Sequence, residues 1–109
     1  MRVRVTGVRG ISVTAKDIVL FIVKKLGAGG CTGHCVELCG PVIRDLSVEE
    51  RLTLCNMAVE CAARSSIIAP DQKVFDYLEG REFAPSGEMW PKAVEFWKTL
   101  KSDEDAVFD

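Results

Sequence analysis

The chain has 109 residues, of which 48% are hydrophobic and 28% are charged, and its formal net charge is −2. This length allows about one domain, and the composition is that of an ordinary globular protein. The small negative charge gives no reason to expect nucleic acid or an anionic membrane surface as a partner. The longest unbroken apolar run, 18–23, is too short to span a bilayer. The N-terminus lacks the apolar core of a signal peptide, so we expect a cytoplasmic location.

Three elements are predicted in the first part of the chain. Alternating apolar and polar residues predict a strand over 2–8. A helix is predicted over 15–26, because Thr14 is a favoured N-cap residue and Gly27 is the residue type expected just beyond a helix end. A glycine-rich loop then leads to a short strand over 35–39.

A second helix is predicted to begin at Ser47. Ser47 and Glu50 have the spacing of a capping box, in which each side chain binds the backbone N–H of the other residue. The apolar residues that follow extend this helix to about Arg64, and Ser65 and Ser66 are expected to end it.

The second part of the chain adds a third strand over 67–69, a short helix over 71–79 and a last helix with Trp90 and Trp97 on its apolar face. We interpret these tryptophans as core residues. The element order β-α-β-α-β-α-α predicts a small α/β unit. The acidic residues 102–109 are expected to form a loosely held tail.

The second predicted helix carries two polar residues in an apolar stretch. Asn56 and Glu60 are four residues apart, so a continuous helix projects them from one face. An amide and a carboxylate are costly to bury without partners. The pair is therefore either the solvent-facing stripe of the helix or part of a functional site, and the periodicity leaves both interpretations open.

The chain has five cysteines: Cys31, Cys35, Cys39, Cys55 and Cys61. An odd number without an export signal predicts reduced thiols rather than disulfides. Cys31, Cys35 and Cys39, with His34 nearby, form an alternative metal-binding set, but their spacing is not that of a standard zinc site. Small buried thiols are the favoured interpretation. Cys31 is expected to be the most exposed and reactive, because it lies in the glycine-rich loop.

Several blocks of the sequence, taken together and in order, resemble the large subunit of 3-isopropylmalate dehydratase, in the aconitase superfamily. The blocks are 13–20, 30–34, 36–40, 43–47, 51–58, 68–71 and 100–105. They extend over essentially the whole chain but match only one internal domain of that subunit, the second of its three cluster-surrounding domains. The resemblance implies a small three-layer α/β/α unit over 1–109, as a fragment of a larger multidomain subunit.

The resemblance also implies a function. The complete enzyme is a hydro-lyase of leucine biosynthesis that interconverts 2-isopropylmalate and 3-isopropylmalate with a 4Fe-4S cluster. The asparagine and glutamate of its Cys-Asn-Met-x-x-Glu block face that cluster, and they match Asn56 and Glu60 here. These two residues are therefore the expected catalytic residues. Homoaconitate and methylmalate analogues remain open as substrates, because related dehydratases act on them.

The chain lacks other blocks of the family. The cluster-ligating blocks, of the Gly-Ser-Cys-Thr-Asn-Ser and Gly-Cys-x-x-Cys types, and the Asp-Ser-His-Thr block have no match here. We therefore expect no cluster ligand in this chain and no activity from it alone. The expected partners are the remaining large-subunit domains and the small subunit, or a second copy of this chain. The alternative is a stand-alone, non-catalytic binding or assembly module that descends from the same domain.

Four positions depart from the glycine that the family usually has: Cys31, Glu50, Ala62 and Ser66. Glycine at such positions commonly permits a close backbone approach or an unusual φ. We expect the departures nearest Glu60 to affect how this segment docks against its partners.

Overall fold

A computed structural model describes residues 1–109, and the chain separates into two compact units. The first unit contains residues 1–68 and 107–109, and the second contains residues 69–106. No helix in either unit combines the length and the apolarity that crossing a bilayer would require.

The first unit is built on a parallel sheet of three strands in the order β1-β2-β3. The strands are β1 (Arg2–Arg4), β2 (Cys35–Cys39) and β3 (Ser65–Ile67). Its helices are α1 (Ala15–Leu26), α2 (Pro41–Asp45) and α3 (Val48–Met57), which is followed by a 3₁₀ turn (Ala58–Cys61). The second unit contains α4 (Gln72–Leu78) and α5 (Met89–Lys98). This architecture confirms the predicted small α/β/α fold class.

The core of the first unit lies against one face of the sheet. Val36 and Leu38 of β2 are buried, whereas Cys35, Glu37 and Cys39 alternate with them on the opposite face. Helices α1 and α3 pack against each other over the buried face. The largest fully buried side chains are Ile43, Leu46, Leu54 and Cys31.

The predicted N-cap Thr14 and the predicted capping box of Ser47 and Glu50 are confirmed, and Thr14 forms a capping box as well. The Asp17 backbone N–H donates to the Thr14 hydroxyl oxygen at 3.3 Å, and the Thr14 backbone N–H donates to the Asp17 carboxylate at 2.8 Å. Ser47 and Glu50 repeat this exchange at the start of α3. Each box supplies partners for backbone N–H groups that a helix start leaves unpaired.

Two elements differ from the prediction at the ends of β1 and β2. Strand β1 ends at Arg4 rather than at residue 8, and Gly7 adopts a positive φ of 99°. The short helix α2 was not expected, and it begins with Pro41 in its first turn, where a missing N–H is tolerated. Gly40 before it has φ 108°, and a Cβ there would clash with the Val5 backbone.

The segment after α3 also differs from the prediction. The helix does not continue to Arg64: it ends at Met57, and the 3₁₀ turn leads to Ala62 in the left-handed conformation. Strand β3 therefore begins two residues earlier than expected, and Ser65 and Ser66 lie within it. The α3 prediction was wrong at this end because apolar residues continue across the turn and hide it.

The second unit is held by a small aromatic cluster. Phe75 is buried in α4 and stacks on Trp97 of α5, with ring centroids 6.0 Å apart. Trp90 meets Trp97 edge to face at 5.7 Å. The two tryptophans therefore pack together as a stripe, but they are half-buried and not core residues as predicted, since α5 has no fully buried residue. Asp71 caps α4 by accepting from the Lys73 backbone N–H.

The end of the acidic tail contacts the first unit. The Arg2 guanidinium lies 3.7 Å from the centre of the Phe108 ring, a cation–π arrangement. The Asp109 carboxylate lies 3.9 Å from Nε2 of His34. No helix or strand forms over residues 102–109.

Truncation of Leu54 to Ala should strongly destabilise the chain. Leu54 is 0% exposed, so Leu54→Ala should lower the free energy of unfolding by about 2–5 kcal/mol. Leu52→Ala is the matched control in the same helix: that side chain is 52% exposed, and its truncation should cost less than about 1 kcal/mol. Denaturant unfolding measures both, and equal effects would contradict this arrangement of the core.

The Asp17 carboxyl should titrate below its ordinary pKa of 3.8, chiefly because the Thr14 hydroxyl donates to the carboxylate. Its ionised form therefore stabilises the fold above pH 3.8, and this contribution is lost as the pH falls through the lower folded-state pKa. Thr14→Val should move the NMR titration midpoint of Asp17 toward 3.8. Thr53→Val is the control, since that hydroxyl donates to a backbone carbonyl. An unchanged midpoint in Thr14→Val would contradict the assignment.

Candidate functional site

Asn56 and Glu60 lie on either side of a change in helix type. Asn56 belongs to the last turn of α3, and Glu60 belongs to the 3₁₀ turn. A 3₁₀ turn advances further around the axis per residue than an α-helix does, so the two side chains are more widely splayed than a continuous helix would place them. The prediction of one continuous helix through both residues is therefore wrong.

Both polar side chains are nevertheless on the outside of the unit. Asn56 and Glu60 are exposed, and so are Leu52 and Val59, the latter at 66%. We call these four residues the outer surface of α3. Surface ion pairs of the first unit join Arg2 to Glu37 and Arg9 to Glu50, and neither of them involves Glu60. The carboxylate of Glu60 is thus open to a ligand or partner.

The inner side of α3 fixes this orientation. Arg51 and Leu54 are buried three residues apart on the side of α3 that faces the sheet, and Cys61 is buried in the 3₁₀ turn that follows. The Arg51 Nη2 donates to the Arg44 carbonyl oxygen at 2.9 Å, which ties α3 to α2. Sequence reasoning missed this bracing arginine, although its spacing of three residues from Leu54 was a usable signal.

Ala62 stops the segment that carries Glu60. It is the one non-glycine residue with a positive φ, at 60°. Its backbone N–H donates to the carbonyls of Ala58 and Val59, and the chain then turns into β3. This left-handed position accounts for the glycine expected here from the resemblance, because a Cβ is disfavoured in this conformation.

Cys31 is buried, which contradicts its prediction as the most exposed cysteine. Only 1% of the residue is exposed. Its backbone N–H donates to the Cys61 carbonyl oxygen at 2.9 Å, and its Sγ donates to the Met1 Sδ at 3.7 Å. These contacts hold Cys31 inside the unit. The prediction that it is exposed was wrong because it relied only on the glycine content of the loop.

The alternative metal set is not brought together. Cys35 and Cys39 share the sheet face opposite the core, whereas Cys31 lies inside. His34 Nδ1 lies 2.9 Å from the Thr32 carbonyl oxygen. No group of three or more His, Cys, Asp or Glu residues is arranged to hold a metal ion.

The remaining cysteines, Cys55 and Cys61, do not join the other thiols in a cluster ligand set. Cys61 is buried, and Cys55 is half-buried on α3, where burial raises the pKa of its thiol. Iron–sulfur clusters are held by several converging cysteine thiolates. Here only Cys31 and Cys61 lie together in the core, whereas Cys35 and Cys39 lie on the opposite sheet face and Cys55 lies on α3. The residues of this chain therefore do not fit a cluster ligand set.

The α/β unit and its outward polar pair define a domain that can line a site without closing it. Comparison with known protein families matches residues 1–109 to the aconitase family (aconitate hydratase). The match extends over the whole chain, and the chain belongs to the aconitase family. Its class is therefore the hydro-lyase type of that superfamily, whose members use 4Fe-4S clusters.

Replacement of Ala62 by glycine should stabilise the chain. Ala62→Gly relieves the left-handed strain and should raise the free energy of unfolding by about 0.5–1 kcal/mol. Ala58→Gly makes the same change at an ordinary helical φ of −60°, and it should lower stability by about 0.5–1 kcal/mol. Denaturant unfolding of the two variants tests this, and a loss of stability in Ala62→Gly would contradict the strain.

Proposed function

We propose that this chain forms one wall of a hydro-lyase active site that interconverts 2-isopropylmalate and 3-isopropylmalate in leucine biosynthesis. Membership of the aconitase family over residues 1–109 carries the proposal. The sequence blocks described above favour the isopropylmalate branch of that family. The exposed positions of Asn56 and Glu60 support their role as the residues that this wall contributes.

The chemistry of the two side chains suits such a substrate. Isopropylmalate carries a hydroxyl group and carboxylates. The Glu60 carboxylate can accept a hydrogen bond from a hydroxyl and can hold a proton, and the Asn56 amide can both donate and accept. Both groups are tethered by a segment whose inner side is buried, so their backbone positions are fixed before a ligand arrives.

The wall requires partners. The outer surface of α3 faces solvent, and an active site that excludes water needs further protein around the substrate. The thiols of this chain do not form a cluster ligand set. We propose that the remaining large-subunit domains and the small subunit supply the cluster, the histidines and the other substrate contacts, and that the assembly is cytoplasmic.

Leu52 and Val59 support contact with a partner at this surface. Both are largely exposed beside the polar pair, and apolar groups on a site wall gain stability when a partner removes them from water. In the proposed assembly, their apolar contacts hold the wall in place, and Asn56 and Glu60 remain available to the substrate.

A complementation assay tests the proposal. The chain should be combined anaerobically with cluster-bearing large-subunit domains and a small subunit, and dehydration of isopropylmalate, homoaconitate and methylmalate analogues should be measured. We expect activity with isopropylmalate only when all components are present. Glu60→Gln should reduce this activity by about 100-fold or more, because the amide cannot hold the proton.

Glu49→Gln is the matched control, since Glu49 is an exposed carboxylate in the first turn of the same helix. It should leave the activity unchanged. Full activity of the Glu60→Gln assembly would contradict the catalytic role of this residue. Activity of the chain alone would contradict the proposal that it is one wall of a larger site.

A non-catalytic binding or assembly module is the second candidate. The observation that favours it is Ala62, which adopts a left-handed conformation at a position where the family usually has glycine. A protein that no longer has to hold catalytic residues in an exact position can tolerate such backbone strain without loss of function. Binding to the partners without any gain of activity would support this second function.

A further inference from the structure

Two free cysteines of the first unit are buried side by side. Cys31 is 1% exposed and Cys61 is 3% exposed. They are 30 positions apart in the sequence, at Cys31 in the glycine-rich loop and Cys61 at the end of the 3₁₀ turn. Each belongs to a different connection, so a bond between them would join two segments that are distant in the sequence.

The backbone geometry brings the two residues into disulfide range. The Cys31 N–H donates to the Cys61 carbonyl oxygen at 2.9 Å. A direct hydrogen bond of this kind holds the two Cα atoms within the separation of about 4.4–6.8 Å that disulfides span. The Cys31 Sγ lies 3.7 Å from the Met1 Sδ, inside the same buried cluster.

Both side chains lie in the same buried cluster. Burial raises the pKa of the Cys61 thiol, and the neighbouring Cys31 thiol raises it further. Both thiols are reduced in this structure.

The other cysteines do not offer an alternative pair. Cys35 and Cys39 are four residues apart on one strand, which separates them by about 13 Å. Cys55 is half-buried on α3, with no described contact to another cysteine. The pairing of Cys31 with Cys61 is therefore selected by the fold.

We propose that Cys31 and Cys61 are a redox-active pair that closes into a disulfide on reaction with hydrogen peroxide. One thiol loses its proton to solvent and attacks a peroxide oxygen, the O–O bond breaks, and a sulfenic acid and water form. The second thiol then attacks the sulfenyl sulfur. The S–S bond forms, the S–O bond breaks and a second water leaves, so two thiols and one peroxide give one disulfide and two waters.

The oxidant reaches the pair through the glycine-rich loop. Residues 28–33 form turns without a helix or strand, and Gly27 and Gly33 at its ends adopt positive φ values. Segments of this kind open locally at low free-energy cost. Closure of the disulfide then ties this loop to the turn that carries Glu60. The proposal is independent of the proposed catalytic function, because the bond forms within the isolated chain.

Peptide mapping of the isolated chain tests the proposal. The reference protein is Cys35→Ser/Cys39→Ser/Cys55→Ser, which leaves only the proposed pair. After treatment with hydrogen peroxide, digestion without reductant should give one peptide pair linked through Cys31 and Cys61, with a mass two hydrogens below that of the reduced peptides. The melting temperature should rise by at least about 5 °C and return to its starting value with dithiothreitol.

Cys31→Gly, which installs the residue usual in the family, and Cys61→Ala in the same background should each abolish the linked peptide and the rise in melting temperature. The reduced melting temperatures of both variants show whether they fold, and either folded variant suffices as the control. Sulfinic acids on separate cysteines, a disulfide between two copies of the chain, or no change in mass would each overturn the proposal.

Discussion

Burial of one face of a three-stranded parallel sheet is the constraint on which the rest of the first unit depends. Helix α3 can cover that face only if Leu54 points inward, and this side chain is 0% exposed. Because a helix has a fixed rotation per residue, this choice turns Asn56 toward solvent. The candidate site is thus set by core packing, and its polar groups need no buried partners of their own.

The change from α-helix to 3₁₀ turn refines this constraint. It shifts Glu60 around the axis relative to Asn56, and the left-handed Ala62 then sends the chain directly into β3. The same turn places Cys61 beneath the glycine-rich loop, where it meets Cys31. The 3₁₀ turn therefore presents the Glu60 carboxylate outward and the Cys61 thiol inward. The left-handed Ala62 at its end affects both the stability of the unit and the position of Glu60.

Local sequence signals were sufficient for the parts of the fold that depend on local interactions. Helix α1 begins and ends as predicted, because its caps Thr14 and Gly27 interact with neighbours in the sequence. Strand β2 also has the predicted bounds. The register of β3 and the burial of Cys31 depend on contacts between distant segments, which periodicity does not report. Asn56 and Glu60 stood out in the sequence as polar residues in an apolar stretch, and the resemblance implied their catalytic role. Their exposure is seen only in the structure.

The most direct measurement of the central claim is the footprint of a partner on this chain. Isotopically labelled chain can be titrated with the cluster-bearing large-subunit domains and followed by NMR chemical-shift changes of its backbone amides. A wall of an active site predicts changes centred on the outer surface of α3, at Leu52, Asn56, Val59 and Glu60. Changes confined to the face of the sheet that carries Cys35 and Cys39, with the α3 amides unaffected, would contradict a role for this surface in the site.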